Sequence, residues 1–195
     1  MIKVEQPAMV LNAADAPADP YLMTYNLKVA ATATLESTLN TVVEIAGRAA
    51  GKIRFLIVNC HGYYDAAPGS LVATGGFGLA LGTGIYRQDL KKFQVLRGLV
   101  DNIWLTACGP ARQTNAGATG ERLGGDGLMF CSEMAQAAQA YVVAATTVQI
   151  RPYDIPSFHI DDYEGMVLQF GPLGNIVWQH DYGRSWIDAL RFGSN

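Results

Sequence analysis

The sequence predicts an α/β fold with a mostly parallel central sheet, and three observations carry that prediction. Three short apolar runs rich in β-branched residues, KIRFLIVNC, DNIWLTAC and YVVAATTVQI, read as strands buried on both faces. Stretches with helical spacing separate them, and strands alternating with helices build parallel sheets through helical crossovers. The chain has 195 residues, of which 50% are apolar and 16% charged. That suits one domain over residues 1–195 with a well-filled core, and argues against disorder.

The elements follow in order. PAMVLNA has the character of a short strand, and ADAPADP reads as a loop. In TLESTLNTVVEIAGRAAG, Leu35, Leu39, Val42, Val43 and Ile45 keep helical spacing, with Gly51 as the stop signal. After the first buried strand, YYDAAPGSLVATGG is rich in turn residues. FGLALGTGIY reads as a hairpin turning at Gly82, Thr83 and Gly84. RQDLKKFQVLRGLV places Leu90, Phe93, Leu96 and Val100 on one helical face. A Gly-rich polar loop from Gly109 to Asp126 leads into LMFCSEMAQAAQA, a run of good helix formers. MVLQFGPLGNIVWQH reads as two strands about a Pro-Leu-Gly-Asn turn, and RSWIDALRF as a terminal helix.

Charge and composition exclude several function classes. The net charge is −3 and no basic run occurs, so nothing favours nucleic acid or an anionic membrane as partner. The tyrosines and tryptophans suggest no stacking stripe for single-stranded nucleic acid. No apolar stretch is long enough to span a bilayer, and the first residues lack the apolar core of a signal peptide. A cytoplasmic protein is the expectation. Cys60, Cys108 and Cys131 contain no C-x-x-C, which argues against a disulfide framework. His61, His159 and His180 show no metal-ligand spacing, so no metal is expected.

Chemistry gathers at strand ends. In parallel sheets, functional groups collect at the carboxyl ends of the strands. His61 ends the run FLIVNCHG and Cys108 ends the run IWLTAC. Neighbouring parallel strands would put both beside one substrate carbonyl. A thiolate is a nucleophile there, and an imidazole generates it or protonates the leaving amine. Gly62 leaves its backbone N–H open to a substrate, so Gly62 and the backbone of Cys108 are candidate oxyanion donors.

These segments resemble the caspase-fold cysteine peptidases, in which a strand ends in His-Gly and a later one in Ala-Cys. The caspase pattern Q-A-C-[RQG]-G has its histidine about 50 residues upstream. Here T-A-C-G-P keeps Ala-Cys-Gly but not the glutamine or the last glycine, so the match is not to a strict caspase. The bacterial CHAT branch is more similar. FLIVNCHG, GFGLALGTGIYRQDLKKFQVLRGLVDNIWLTAC and GDGLMFCSEMAQAAQAYVVAATTVQI carry the likeness, over about Ile53 to Ile150. The resemblance implies a caspase-like three-layer sandwich with small β-hairpins. It implies His61 as imidazole, Cys108 as nucleophile and a peptide or protein substrate cut through an acyl-enzyme, with no cofactor. It also places Thr106 beside the substrate side chain amino-terminal to the cut. Asp154, Asp161 and Asp162 follow the third strand, where they can border the same pocket and favour a basic side chain. The 109–126 loop is then a candidate activation loop, with Arg112 and Arg122 as sites of self-cleavage.

Other readings stand beside this one. Cys60 precedes His61 on the strand, so its side chain points to the opposite face and packs. Cys131 belongs to a helix core. His159 is a candidate pocket-rim residue and His180 an exposed hairpin residue. The glycines of GGFGLALGTG lack G-x-G-x-x-G spacing, and Gly124 to Gly127 reads as a loop before a helix rather than an anion site. Two alternative functions remain: a binding or scaffolding module whose dyad is silent until a regulatory protein partner assembles it, and a thiol-dependent acyl hydrolase acting on other esters or amides.

Overall fold

Residues 56–59 and 142–145 are buried on both faces inside a sheet, whereas in Val100–Leu105 the face that carries Asn102 and Trp104 is half-buried. The computed structural model describes residues 1–16, 20–49, 51–62, 78–114, 125–147, 149 and 154–183. Its strands are β1 (Ile2–Lys3), β2 (Ala8–Ala13), β3 (Tyr25–Val29), β4 (Ile53–Asn59), β5 (His61–Gly62), β6 (Gly78–Ala80) and β7 (Ile85–Tyr86). They continue as β8 (Val100–Leu105), β9 (Gln113–Thr114), β10 (Gly125–Asp126), β11 (Tyr141–Ala145), β12 (His159–Ile160), β13 (Met166–Phe170) and β14 (Ile176–Asp181). The helices are α1 (Leu35–Arg48), a 3₁₀ helix (Arg87–Leu96) and α2 (Gly127–Ala138).

The main sheet has seven strands in the order β14-β13-β11-β8-β4-β2-β3. The five from β11 to β3 are parallel, and β13 and β14 add an antiparallel edge. The fold is thus mixed α/β with a mostly parallel sheet. β3, at the far edge from β14, came from a segment with no clear sequence signal: its burial alternates and only Val29 is fully buried.

Successive residues of the central strands divide between two apolar clusters, as the two-residue period of a strand requires. Leu56, Val58, Ile103, Leu105, Val142 and Ala144 pack with residues of α1, the 3₁₀ helix and α2. Ile57, Val143, Ala145 and Val167 face the other way and are covered by Val4, Tyr21, Met23, Ile160 and Tyr163. Among the described residues, all helices lie on one face of the sheet. On the other, the described part of the β2–β3 connection, with Tyr21 and Met23, and the antiparallel β1–β12 ribbon form the cover. The terminal helix expected over RSWIDALRF lies outside the described residues.

Local chemistry sets the helix ends. Thr34 caps α1 by accepting from Ser37 N at 3.1 Å, and Gly51 N–H donates to Ala46 O at 2.9 Å beyond its last turn. Asp126 caps α2, accepting from Met129 N at 3.0 Å. The segment after the hairpin differs from the expected α-helix. Leu90, Phe93 and Leu96 are spaced by three, and in a helix of three residues per turn they eclipse on one buried face. Val100 is not on that face; it opens β8.

The hairpin forms as β6–β7, with Gly84 N–H donating to Leu81 O, and it gains β5 as a third strand. Gly82 has φ +58, and a Cβ there would lie 2.2 Å from Ala33 O, so the turn requires glycine. Trp178 and His180 alternate along β14 and stack with centroids 5.9 Å apart, and Tyr182, just past the strand, meets His180 edge-on at 4.5 Å.

Phe93 is 1% exposed at the junction of helices and sheet. Phe93→Ala should destabilise the protein by about 3–5 kcal/mol, read from the midpoint of urea unfolding at unchanged m-value.

Candidate active site

Parallel pairing builds the site from two distant segments. β4 and β8 pair with Val58 opposite Leu105, and Thr106 N–H adds a rung to Val58 O at 3.1 Å. Both chains then leave the sheet at the same end. Beyond the ladder, β5 turns His61 and Gly62 aside to pair with Ala80 and Leu79. Gly62 lies against Cys108 so closely that a Cβ would sit 2.0 Å from the Cys108 carbonyl oxygen. Two peptide units from segments far apart in sequence thus touch beside the thiol.

His61 and Cys108 line one small cleft of about 40 Å³, together with Tyr21, Asn59, Cys60, Thr106, Ala107, Gln149, Asp161, Asp162 and Tyr163. This volume is far below the roughly 300–1,000 Å³ of sites that engulf a small molecule, and it suits the end of one side chain. His61 is exposed and Cys108 half-buried. His61 Nε2 lies 3.1 Å from Asp15 O. A carbonyl only accepts, so Nε2 carries the proton and Nδ1 of the neutral ring presents its lone pair.

Cys108 Sγ meets the main chain of Gln149: Gln149 N–H donates to the sulfur at 3.5 Å, and the thiol donates to Gln149 O at 3.7 Å. The chain after Cys108 is fastened to the same region, with Gly109 N–H donating to Thr147 O at 2.8 Å and Ala111 N–H to Ala145 O at 3.1 Å. The antiparallel β9–β10 pair closes the base of the 109–126 loop. Arg112 lies at that base, and Arg122 lies outside the described residues.

The other two thiols are core residues. Cys60 and Cys131 are buried, and burial pushes both thiols far up from their ordinary range. For Cys60, the nearby Asp15 and Cys108 push in the same direction. Its burial among the helix-facing residues agrees with strand alternation, although part of it reaches the cleft wall.

The acidic candidates separate. Asp161 and Asp162 line the cleft, whereas Asp154 is exposed and not among the lining residues. The Asp162 carboxylate pairs with the Met1 ammonium, and Asp161, half-buried, accepts from Asp162 N–H at 2.8 Å. Thr106 is on the wall, with its hydroxyl donating to Val58 O at 3.3 Å. His159 stands in the β1–β12 ribbon, its Nδ1 bound to Ser157 O, and does not line the cleft. Among the described residues, no group of three His, Cys, Asp or Glu side chains is arranged to hold a metal.

Sequence reasoning missed the polar frame of this cleft. Asn12 and Asn59 are both buried and stand opposite each other at the ends of β2 and β4. Asn59 Nδ2 donates to Asn12 Oδ1 at 2.6 Å; Asn12 Nδ2 donates to Tyr21 O at 3.1 Å and its Oδ1 accepts from Tyr21 N at 3.2 Å. The pair holds the 20–23 segment so that Tyr21 becomes a wall. The available signal was an asparagine at the end of two apolar runs, VLN and IVN. Gln149 and Tyr163 were also missed. The Tyr163 hydroxyl is buried without a hydrogen-bond partner, and burial raises its pKa well above the ordinary value.

None of the family models, curated proteins or solved structures compared with the chain matches it.

The contact of Gly62 with Cys108 gives a paired test. Gly62→Ala should cost about 1–3 kcal/mol by overpacking and slow alkylation of Cys108. Gly47→Ala, in α1 with nothing within 4 Å of the added Cβ, should instead stabilise by about 0.5–1 kcal/mol. Urea unfolding and mass-mapped labelling of both variants read the two outcomes.

Proposed function

We propose that this protein is a cysteine peptidase of caspase-like, CHAT-type architecture, acting from the cytoplasm. The observation that carries the reading is that His61 and Cys108, far apart in sequence, line one cleft at the carboxyl ends of adjacent parallel strands. The tie from His61 Nε2 to Asp15 O supports it, because it leaves Nδ1 as the basic nitrogen.

In this reading Cys108 and His61 are the catalytic residues. The Sγ–H proton passes to Nδ1, and the thiolate attacks the scissile carbonyl carbon. The negative charge gathers on the carbonyl oxygen, for which the Gly62 and Cys108 N–H groups are the proposed donors. Collapse breaks the C–N bond, and His61 returns its proton to the leaving amine. Water, deprotonated by His61, then hydrolyses the thioester to a carboxylic acid and free thiol.

The lining supports a basic substrate side chain amino-terminal to the cut. Among the described lining residues there are two carboxylates, Asp161 and Asp162, and no lysine or arginine. Asp161, which lines the cleft, is the proposed anchor.

Cys108→Ala should abolish cleavage of a peptide library, and His61→Ala should lower kcat/KM by about 10²–10⁴-fold. Iodoacetamide should label Cys108 well ahead of Cys60 and Cys131. A Cys108→Ala protein that retains turnover would sink the assignment. Asp161→Asn should lower kcat/KM for Lys or Arg at the cut by about 10-fold or more while sparing neutral residues, a difference of about 1.4 kcal/mol. Equal losses for both classes would remove Asp161 from specificity.

A further inference from the structure

Four hydrogen bonds converge on one side chain next to the thiol. Gln149 Nε2 donates to Thr147 O at 3.1 Å, to Thr147 Oγ1 at 3.3 Å and to Glu164 O at 3.1 Å, while its Oε1 accepts from Glu164 N at 2.9 Å. Thr147 Oγ1 also donates to Glu164 O at 2.7 Å, and a Cβ on Gly165 would lie 2.4 Å from that hydroxyl. The amide is therefore wedged between the end of β11 and the chain entering β13, where there is little room to shift. Thr147 O also accepts from Gly109, the residue after Cys108. The clamp thus belongs to the loop that carries the sulfur.

We propose that Gln149 is a positioning residue for Cys108: its clamped side chain holds its own main-chain N–H on the sulfur and so stabilises the thiolate. The inference rests on the reading of Cys108 as nucleophile. Two contacts compete at the sulfur. The N–H···S contact, at 3.5 Å, survives ionisation and becomes charge-assisted. The S–H···O contact to Gln149 O, at 3.7 Å, is the longer one and is lost with the proton. The balance favours the ionised form only while the N–H is kept in place, which is the task of the side-chain clamp.

This donor has work to do because the cleft is acidic. Among the described residues, the titratable groups around the sulfur are His61 and Cys60 beyond β4, Asp15 beyond β2, Asp161 and Asp162 before β13, and the tyrosines Tyr21 and Tyr163. The carboxylates oppose a second negative charge. His61 and the Gln149 N–H favour it.

The test is the pH dependence of iodoacetamide labelling on the full chain, with the label located on Cys108 by mass spectrometry. The parent should label as a thiolate below the range of an ordinary thiol, whose pKa is near 8.5. Gln149→Ala and Gln149→Met should both move the profile to higher pH and slow labelling near neutrality by about tenfold, the factor that one pH unit brings. Gln149→Met keeps the size and adds no charge, and it decides the matter if the alanine variant does not fold. Folded variants that keep the parent's profile overturn the role of Gln149 and leave the dyad reading intact. A parent whose Cys108 labels like an unstructured thiol, with His61→Ala unchanged from it, overturns the dyad reading itself.

Discussion

The structure depends on the parallel pairing of β4 with β8. Parallel neighbours lie about 5 Å apart and end at the same side of the sheet. The register of Val58 opposite Leu105 therefore decides that the chain leaving β4 meets the chain leaving β8. A slip of one residue would exchange buried and outward side chains along the whole strand, so the two apolar clusters hold the register firmly. The close approach of Gly62 to Cys108 extends this pairing past the last ladder bond.

Around that junction, the fold satisfies buried polar groups by joining separate segments. A buried amide without partners costs on the order of 1–3 kcal/mol, so each such side chain is informative about what it fastens. Asn12 and Asn59 fasten the connection after β2 across the cleft. Gln149 fastens the end of β11 to the chain before β13. His61 is turned by the Asp15 carbonyl. The cleft wall is thus built from five separate stretches of chain, each held by a bond to another.

The fold was legible where periodicity was unambiguous. The buried strands around Ile57, Ile103 and Val143, the α1 and α2 helices and the β6–β7 hairpin follow from apolar runs, caps and glycine turns. β3 was not legible, because Tyr25–Val29 is an edge strand with a mixed burial pattern. The 3₁₀ helix was misread as an α-helix because Leu90, Phe93 and Leu96 fit one face of either, and only the hydrogen-bonded geometry separates the two periods. The row of Trp178, His180 and Tyr182 was not legible because its last ring, Tyr182, follows the run expected as a strand.

The sequence by itself determined the alternation of strand and helix, the placement of His61 and Cys108 at strand ends and the consignment of Cys60 to the packed interior. These are properties of single segments, written in spacing and burial preference. Tertiary structure alone decided which strands are neighbours and so which distant residues share a cleft. It chose Asp161 and Asp162 over Asp154, tied His61 to a backbone carbonyl that no side-chain pattern could announce, and set the Gln149 main chain on the sulfur. The reason is physical: a hydrogen bond to a peptide group, or the meeting of two loops, depends on where the backbone runs, which side-chain identity does not encode locally.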